Sequence, residues 1–408
     1  MVNKWMQRID LLLLISVLGL LFTGLIALYS SSYSTVRSSS SMGYFNLQLI
    51  WILIGLVIMA VMTFIPYKIF QDFAYVLYFL SLILLVAVLL FGSGGSGAQR
   101  WLRVGMFRFQ PSEFAKLAVL LASARYLSSA RRDINRPKTF VVTSFIFIIP
   151  FLLILKQPDL GTALALIVVL LPLCYWAGLK PSNLFLLITP IIVLIASFNF
   201  YFFLAVMIIL LVFLYFLRRS VIFSALNFAL NIAVGLITPV LWSNLKDYQQ
   251  QRIKIFLNPE ADPLGAGYQI IQSKVAIGSG GLFGRGYLQG SQTQLRFLPE
   301  QHTDFIYAII GEEFGFVGVL FGLAFFAVFL LSASRIASLQ KSAFNSIVAI
   351  GIATLIGFHM VVNIGMTIGL LPVTGLPLPF ISYGGSAMLT NMAMTGLLLN
   401  FYRNRYLY

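Results

Sequence analysis

An apolar run of roughly twenty residues is the length of helix that crosses a bilayer, and runs near that length fill this chain from end to end. Twelve can be drawn, at 11–29, 45–65, 73–91, 112–127, 140–155, 160–178, 183–199, 201–217, 221–241, 305–331, 343–370 and 383–402. Lipid offers backbone N–H and C=O groups no partner, so a spanning segment closes its hydrogen bonds within a helix or a closed barrel. A barrel would read as short alternating segments, whereas these runs are continuously apolar. Only 10% of the residues are charged and the mean hydropathy is +0.94, against about 25% charged in soluble domains. The expected fold is therefore an all-α polytopic membrane protein. The single cysteine, Cys174, lies inside an apolar run, which excludes an intrachain disulfide and a thiolate metal cluster. Residues 1–29 open with basic residues and an apolar run but lack a small-residue cleavage site, so they read as a retained first helix rather than a removed leader.

The net charge of +15 would suit nucleic acid in a soluble protein. In a membrane protein it reflects the enrichment of Lys and Arg in cytoplasmic loops, and no nucleic-acid partner is expected. With the N-terminus in the cytoplasm, twelve spans return the C-terminus there. The cytoplasmic loops then hold Lys4, Arg8, Lys68, Arg125, Arg131, Arg132, Arg136, Lys138, Lys180, Arg218, Arg219, Arg335, Lys341, Arg403 and Arg405, against Asp10, Asp72 and Asp133. The uncharged stretch 184–217 reads as a tight hairpin turning near Asn199, because a single long helix would put Arg218 and Arg219 on the face opposite Lys180.

The opposite face carries the unusual sequence. It holds a Ser-rich linker at 30–44, the loops 92–111, 156–159 and 371–382, and one long loop at 242–304. Polarity is concentrated in Ala261 to Gly318, which ends by re-entering the membrane with Glu312 and Glu313. Glu312 is expected about 12 Å below Asp304 at 1.5 Å per residue, either packed inside the bundle or at a site. No attached soluble domain or fixed-period repeat is present.

Four motifs on this face could carry chemistry. In 97–116, Arg100, Arg103 and Arg108 form a cationic cluster with Trp101, and guanidinium forks suit phosphate oxygens. Pro111, Ser112 and Glu113 read as a helix start, with Ser112 as N-cap. Lys116 follows about one turn inside the membrane, where it is either a structural ion pair with Glu113 at i, i+3 or a phosphate-facing cation. In 156–162, Gln157, Pro158 and Asp159 precede another helix, and Asp159 is either its cap or a substrate contact. The long loop holds Asp262 in a turn that leaves a carboxylate orientable, an interfacial helix at 265–277 that carries Lys274, and Thr303 and Asp304 as caps for the next helix. Its Gly-rich run 278–286 follows no strand and is no dinucleotide fingerprint. The fourth motif, 363–387, has Pro372, Pro377 and Pro379 among glycines and reads as a re-entrant segment covered by protein or water. His302 and His359, the only histidines, read as a loop hydrogen-bonder and a buried helix residue rather than metal ligands. Helices starting near Ser112, Asp159, Asp304 and Tyr383 would all turn their N-termini toward one outer vestibule. A lipid-linked pyrophosphate would suit it.

The segments QPSEFAKLA, QPDLGTAL, GYQIIQSKVAIGSGGLFGRGYLQGSQTQLRFLPEQHTDFIYAIIGEEFG and NIGMTIGLLPVTGLPLPFISYGGS resemble, in order, the motifs of the SEDS family of cell-wall polymerases. GSQTQLRFLPE is more similar to the RodA, or elongation, type than to the division type, FtsW. The resemblance implies a bacterial cytoplasmic-membrane protein with both termini in the cytoplasm. It further implies a peptidoglycan glycosyltransferase that polymerises lipid II on the extracytoplasmic face, with a class B penicillin-binding protein and the elongation machinery as partners. Carried over by motif, Asp262 matches an essential loop carboxylate, Lys116 an essential lysine and Trp101 a loop tryptophan. Trp101, Arg103, Glu113, Gln157, Asp159, Lys274, His302, Thr303, Asp304 and Ser382 are the candidate substrate contacts. The chain departs from the family at 181–220, which reads as an added hairpin on about ten family helices within one domain, 1–408. The implied mechanism is inverting, with Asp262 as general base, Lys116 and the arginines facing the leaving pyrophosphate, and a divalent cation, Mg or Mn, as a possible helper. Two other readings stay open: a lipid II flippase or other transporter, with Lys116, Glu312 and Glu313 lining a path, and a non-enzymatic scaffold for a transpeptidase.

Overall fold

The structure, a computed structural model, describes residues 9–33, 42–92, 100–104, 107–129, 132–217, 220–244, 250, 254–256, 258–263, 265, 267–295 and 297–406. Lys4, Arg8, Arg131, Arg218, Arg219 and most of the Ser-rich linker lie outside them. All twelve expected apolar stretches are helical. In chain order they are α1 (Leu11–Ser32), α2 (Met42–Phe64), α4 (Ala74–Phe91), α5 (Pro111–Leu127), α6 (Pro137–Lys156), α7 (Leu160–Trp176), α8 (Pro181–Ala196), α9 (Phe200–Leu217), α10 (Val221–Ser243), α13 (Ile306–Leu339), α14 (Ala343–Thr367) and α15 (Gly385–Arg403). A one-and-a-half-turn helix, α3 (Tyr67–Asp72), links α2 to α4. The long loop contributes α11 (Tyr268–Gly280) and the single turn α12 (Ser291–Gln294). Among the described residues, eight helices are long and apolar enough to cross a membrane, while α7 and α8 are apolar but shorter. Length and composition thus support eight crossings; a count of twelve rests on helices that are shorter or more polar.

Two features differ from the expectation of a purely helical chain. Residues 102–104 and 107–109 pair as a small antiparallel ribbon, β1 (Leu102–Val104) and β2 (Phe107–Phe109), with Arg103 opposite Arg108. Helix α13 is also broken at Gly315, whose φ of 64° and ψ of −159° are non-helical. The break splits α13 into an outer half-helix, 306–314, and a through-helix, 316–339, some 36 Å long at 1.5 Å per residue.

The through-helix runs antiparallel to α1. At one end Arg335 binds Asp10, a buried carboxylate that also caps α1 by accepting the Leu13 N–H at 3.1 Å. At the other, Ser30 donates to Glu313 beside the break. The first end also collects the Arg125–Asp72 pair, the turn in which Asn135 receives the Lys180 N–H, and Arg403 and Arg405. The structure therefore has a charged face and a loop face.

Helix α5 sits at the centre, buried from Pro111 through Ala124 apart from Phe114, so its polar residues meet protein rather than lipid. It packs against α4, α6 and α14, and α15 lies along α2. Small residues bring these backbones close: a Cβ on Gly351 of α14 would stand 2.7 Å from Leu120, and one on Gly396 of α15 2.6 Å from the Met59 carbonyl. Helices α8, α9 and α10 form a satellite with its own apolar cluster of Leu186, Val193, Met207, Leu210 and Leu214. Its first turn is made by Asn199, whose Oδ1 accepts the Tyr201 and Phe202 N–H groups at 3.0 and 3.3 Å, an N-cap that needs no charge.

Candidate active site

The break in α13 organises the loop face. Backbone groups freed at the break are taken up by the Gly-rich run: Arg285 and Gly286 N–H donate to the Glu312 and Glu313 carbonyls at 3.0 and 3.1 Å, and Phe316 and Val317 N–H to the Gly281 and Leu282 carbonyls at 2.9 and 3.1 Å. Two backbones can approach this closely only without side chains. A Cβ on Gly280 or Gly284 would fall 2.0 Å from the Gly311 or Glu313 carbonyl oxygen, and Gly284 has φ of 83°. The glycines therefore serve a backbone seam. Glu312 receives the Gln292 N–H (2.8 Å), the Thr293 N–H (3.0 Å) and the Thr293 hydroxyl (2.7 Å). It is fully buried, as packing inside the protein requires, but its partners come from the single turn α12 of the long loop rather than from another helix of the bundle.

Inside the bundle, Lys116 is 2% exposed and makes two contacts of its three donors: Glu113 Oε1 at 2.8 Å and His359 Nε2 at 3.1 Å. His359 Nδ1 lies 3.4 Å from the Pro377 carbonyl. One turn further along α14, Asn363 Nδ2 donates to the Leu376 carbonyl (2.8 Å) and the Asp304 carbonyl (3.0 Å). The segment Pro372–Gly384 is irregular; its part from Leu376 to Ser382 is buried apart from the half-buried Pro377, as a re-entrant backbone must be, while Gly375 is exposed. Ser382 Oγ accepts the Leu378 N–H at 2.9 Å and donates to the Thr303 carbonyl at 2.6 Å, while Tyr383 N–H reaches the His302 carbonyl at 3.0 Å. Ser382 and Thr303 thus meet directly, with Asp304 beside Gly375.

A second group gathers at the starts of α5, α7 and α15. Gln110 Nε2 donates to Asp159 at 3.1 Å and Gln110 N–H to Ser386 Oγ at 3.0 Å. Asp159 is the N-cap of α7, accepting the Thr162 N–H at 3.3 Å. Arg100 reaches the carbonyls of Gln157 and Pro158, and the Gln157 side chain donates to the Leu85 carbonyl at 3.0 Å. Arg103 and Arg108 are both exposed on the ribbon and directly opposite each other, an arrangement that repels unless an anion lies between them. Trp101 is half-buried at the foot of the ribbon.

His302 stacks on Tyr44, ring centroids 4.3 Å apart, with Tyr383 edge-on to Tyr44 at 5.0 Å. Burial holds the His302 imidazole below its usual range, against the opposing pull of Glu300. Burial, reinforced by Glu300, pushes the Asp304 carboxyl up to about 6, although Thr303 and Arg100 oppose it.

The Asp262 turn stands apart. Asp262 Oδ1 accepts the Gly265 N–H at 3.0 Å and its carbonyl the Gly267 N–H at 3.1 Å. Winding those residues into a turn delays α11 to Tyr268, three residues later than expected. Helix α11 is pinned by Ser273 Oγ to the Thr367 carbonyl at 2.7 Å, and Lys274 lays its stem over Gly369 at the end of α14, where a cation meets the negative helix end. Among the described residues, no hydrogen bond or ion pair joins Asp262 to the Lys116 group.

Two expected caps are not used. Pro111 opens α5 behind Gln110, leaving the Ser112 hydroxyl buried without a partner, and α13 opens after Phe305 with no side-chain cap. Sequence reasoning missed Gln110, Asn363 and Ser386, and it placed His359 as a buried helix residue, which it is, without its contact to Lys116. A signal existed for Asn363: it and His359 are polar residues four apart in an apolar run, and so share one face.

Residues 10–206 and 191–407 match the cell cycle protein family of FtsW, RodA and SpoVE. The chain is a member of that family. Peptidoglycan glycosyltransferase MrdB of Escherichia coli K12 is 39% identical over 401 residues, covering 98% of this chain and 94% of the relative. Peptidoglycan glycosyltransferase RodA of Treponema pallidum is 37% identical, covering 96% of each. Among solved structures, a chain from a peptidoglycan synthase complex that coordinates polymerization and crosslinking matches with TM-score 0.75 at 28% identity, over 98% of this chain and 99% of that one. Rod shape determining protein RodA of Thermus thermophilus matches with TM-score 0.65 at 26% identity, over 98% of each. The family resemblance and the helical membrane fold read from the motifs are both borne out.

Proposed function

We propose that this chain is a peptidoglycan glycosyltransferase of the elongation type, polymerising lipid II. The observation that carries the reading is likeness to MrdB and RodA over nearly the whole length of both chains. The charged face lies in the cytoplasm, by the positive-inside rule, and the loop face outside, where the lipid-linked disaccharide is consumed. A class B penicillin-binding protein is the partner; the likeness to a chain of a synthase complex supports this.

In the reaction Asp262 takes the proton of the acceptor sugar's 4-hydroxyl as that oxygen attacks the donor's anomeric carbon. The anomeric C–O bond to pyrophosphate breaks with inversion, and its electron pair leaves on the phosphate oxygen. A turn-held carboxylate suffices, because proton removal need only be timed with attack. The greater demand is the charge arriving on the pyrophosphate. The opposed Arg103 and Arg108, the remaining Lys116 donor and the N-termini of α5 and α7 supply fixed positive potential there. Ser382, Thr303 and Asp304 orient the sugars.

No group of three or more His, Cys, Asp or Glu that could hold a metal ion exists among the described residues. No step is assigned to a divalent ion. The decisive experiment mixes detergent-purified protein with labelled lipid II, with and without the transpeptidase, and resolves the products on a gel. Glycan ladders are expected. Headgroup translocation in sealed vesicles without polymer would replace this reading with a flippase.

A further inference from the structure

Lys116 is an ammonium buried among helices, and burying a charge is costly unless its donors find acceptors. One acceptor, Glu113, comes from its own helix a turn away. The other comes from a different helix: His359 of α14, 4% exposed, with Nε2 at 3.1 Å from Nζ. An ammonium has three donors and no lone pair, so this contact is a hydrogen bond only if Nε2 carries no proton. The ring's other nitrogen faces a carbonyl, Pro377 O at 3.4 Å, which can only accept. The proton therefore belongs on Nδ1, and the imidazole is neutral with a defined tautomer. The same helix holds the neighbouring carbonyl, Leu376 O, through Asn363. Together the two side chains fasten the Pro372–Gly384 segment to α14 at two consecutive carbonyls.

We propose that His359 is a positioning residue: it aims the Lys116 ammonium and ties that aim to the Pro372–Gly384 segment, which carries Ser382. Lysine has four rotatable side-chain bonds and no directional fork. Glu113 alone, on the same helix, leaves the ammonium free to swing about that single contact. A second acceptor on an independent helix fixes its direction and leaves the third donor pointing at the substrate. This rests on the reading of Lys116 as the cation that meets the pyrophosphate.

The test has two independent arms. In the first, wild type, H359L and H359Q are purified as full chains and their polymerisation of labelled lipid II is followed at saturating and limiting substrate. H359L removes both hydrogen bonds at similar bulk. It is expected to lose about ten-fold or more in kcat, the scale of one hydrogen bond to a charged group, with little change in KM. H359Q offers an amide oxygen to Lys116 and an amide N–H to Pro377, and should recover most of the loss. Equal activity of H359L and wild type, or no rescue in a folded H359Q, overturns the proposal. The second arm needs no variant at position 359. The chain has only two histidines, so a spectrum of the protein with 15N-labelled imidazoles holds two sets of signals, and His302→Gln assigns them by removing one. The His359 set is expected to show a protonated Nδ1 and a bare Nε2. A protonated Nε2 overturns the proposal even if H359L fails to fold. If the wild type itself makes no glycan while the tautomer is as expected, the reading of the reaction falls rather than the geometry of the ammonium.

Discussion

At the scale of single residues, the site separates buried groups that hold charge in place from a carboxylate held in a loop turn. Lys116 and Glu113 are both buried, so removing either leaves the other charge stranded. K116M should therefore destabilise the fold on the order of 3–5 kcal/mol, visible as a lowered midpoint in thermal unfolding followed in detergent, while E113Q/K116M should regain much of that loss and remain inactive. Asp262, in an exposed turn, should behave in the opposite way, D262A abolishing polymer with unfolding unchanged; glycan made by folded D262A would remove it from the mechanism. The Asp304 carboxyl, pushed up to about 6 by burial, gives a pH dependence with a definite sign. Because burial disfavours the ionised form, its contribution to stability is full below the unfolded carboxylate value and is lost as pH rises through about 6. Substrate orientation by the carboxylate has the reverse sign, so activity should fall as pH drops through about 6, and that limb should be absent from the pH–rate profile of D304N.

Among the elements, the glycine run and the broken helix explain each other, and two glycines in it make a sharp comparison. Gly278 has open space around its Cβ position, whereas Gly280, two residues on, is pressed against the Gly311 carbonyl. G278A should be neutral or stabilising by up to about 1 kcal/mol, the helix preference of Ala over Gly, and G280A should lower the unfolding midpoint and the activity together. The sequence exposed the elements more clearly than their joints. Continuous apolar runs located every long helix, because lipid and core both demand them, and the Pro-rich run announced a re-entrant segment. The break at Gly315 is not legible, since GEEFGFVG, polar as Glu312 and Glu313 make it, reads as continuous helix until the Gly-rich backbone that meets it is known. The Asp159 cap could be read from local chemistry, while the Ser112 cap was displaced by Pro111 at the first helical position. The contact of Lys116 with His359 joins residues 243 positions apart, and no local pattern in one sequence encodes it.

For the molecule as a whole, α8 to α10 form a unit with its own small core, and the two stretches that match the family overlap within it, at 191–206. Two antiparallel helices can be taken out of a membrane bundle without reversing anything that follows, whereas one cannot. Deleting residues 181–220 is therefore expected to lower thermal stability yet leave glycan synthesis from lipid II in detergent intact; a folded deletion variant with no polymer would show that the unit serves the reaction.

The seam beside Gly315 also limits how the loop face can move. Its four N–H···O bonds run in both directions between the glycine run and the helix ends, two from Arg285 and Gly286 to the half-helix carbonyls of Glu312 and Glu313 and two from Phe316 and Val317 of the through-helix to the Gly281 and Leu282 carbonyls, so the half-helix 306–314 cannot tip by itself without breaking the first two. Ser273 fastens α11 to α14 on the other side. The seam and the Ser273 tie thus join the half-helix, the glycine run, α11 and the end of α14 into one plate, and any motion of this part of the loop face carries all four together.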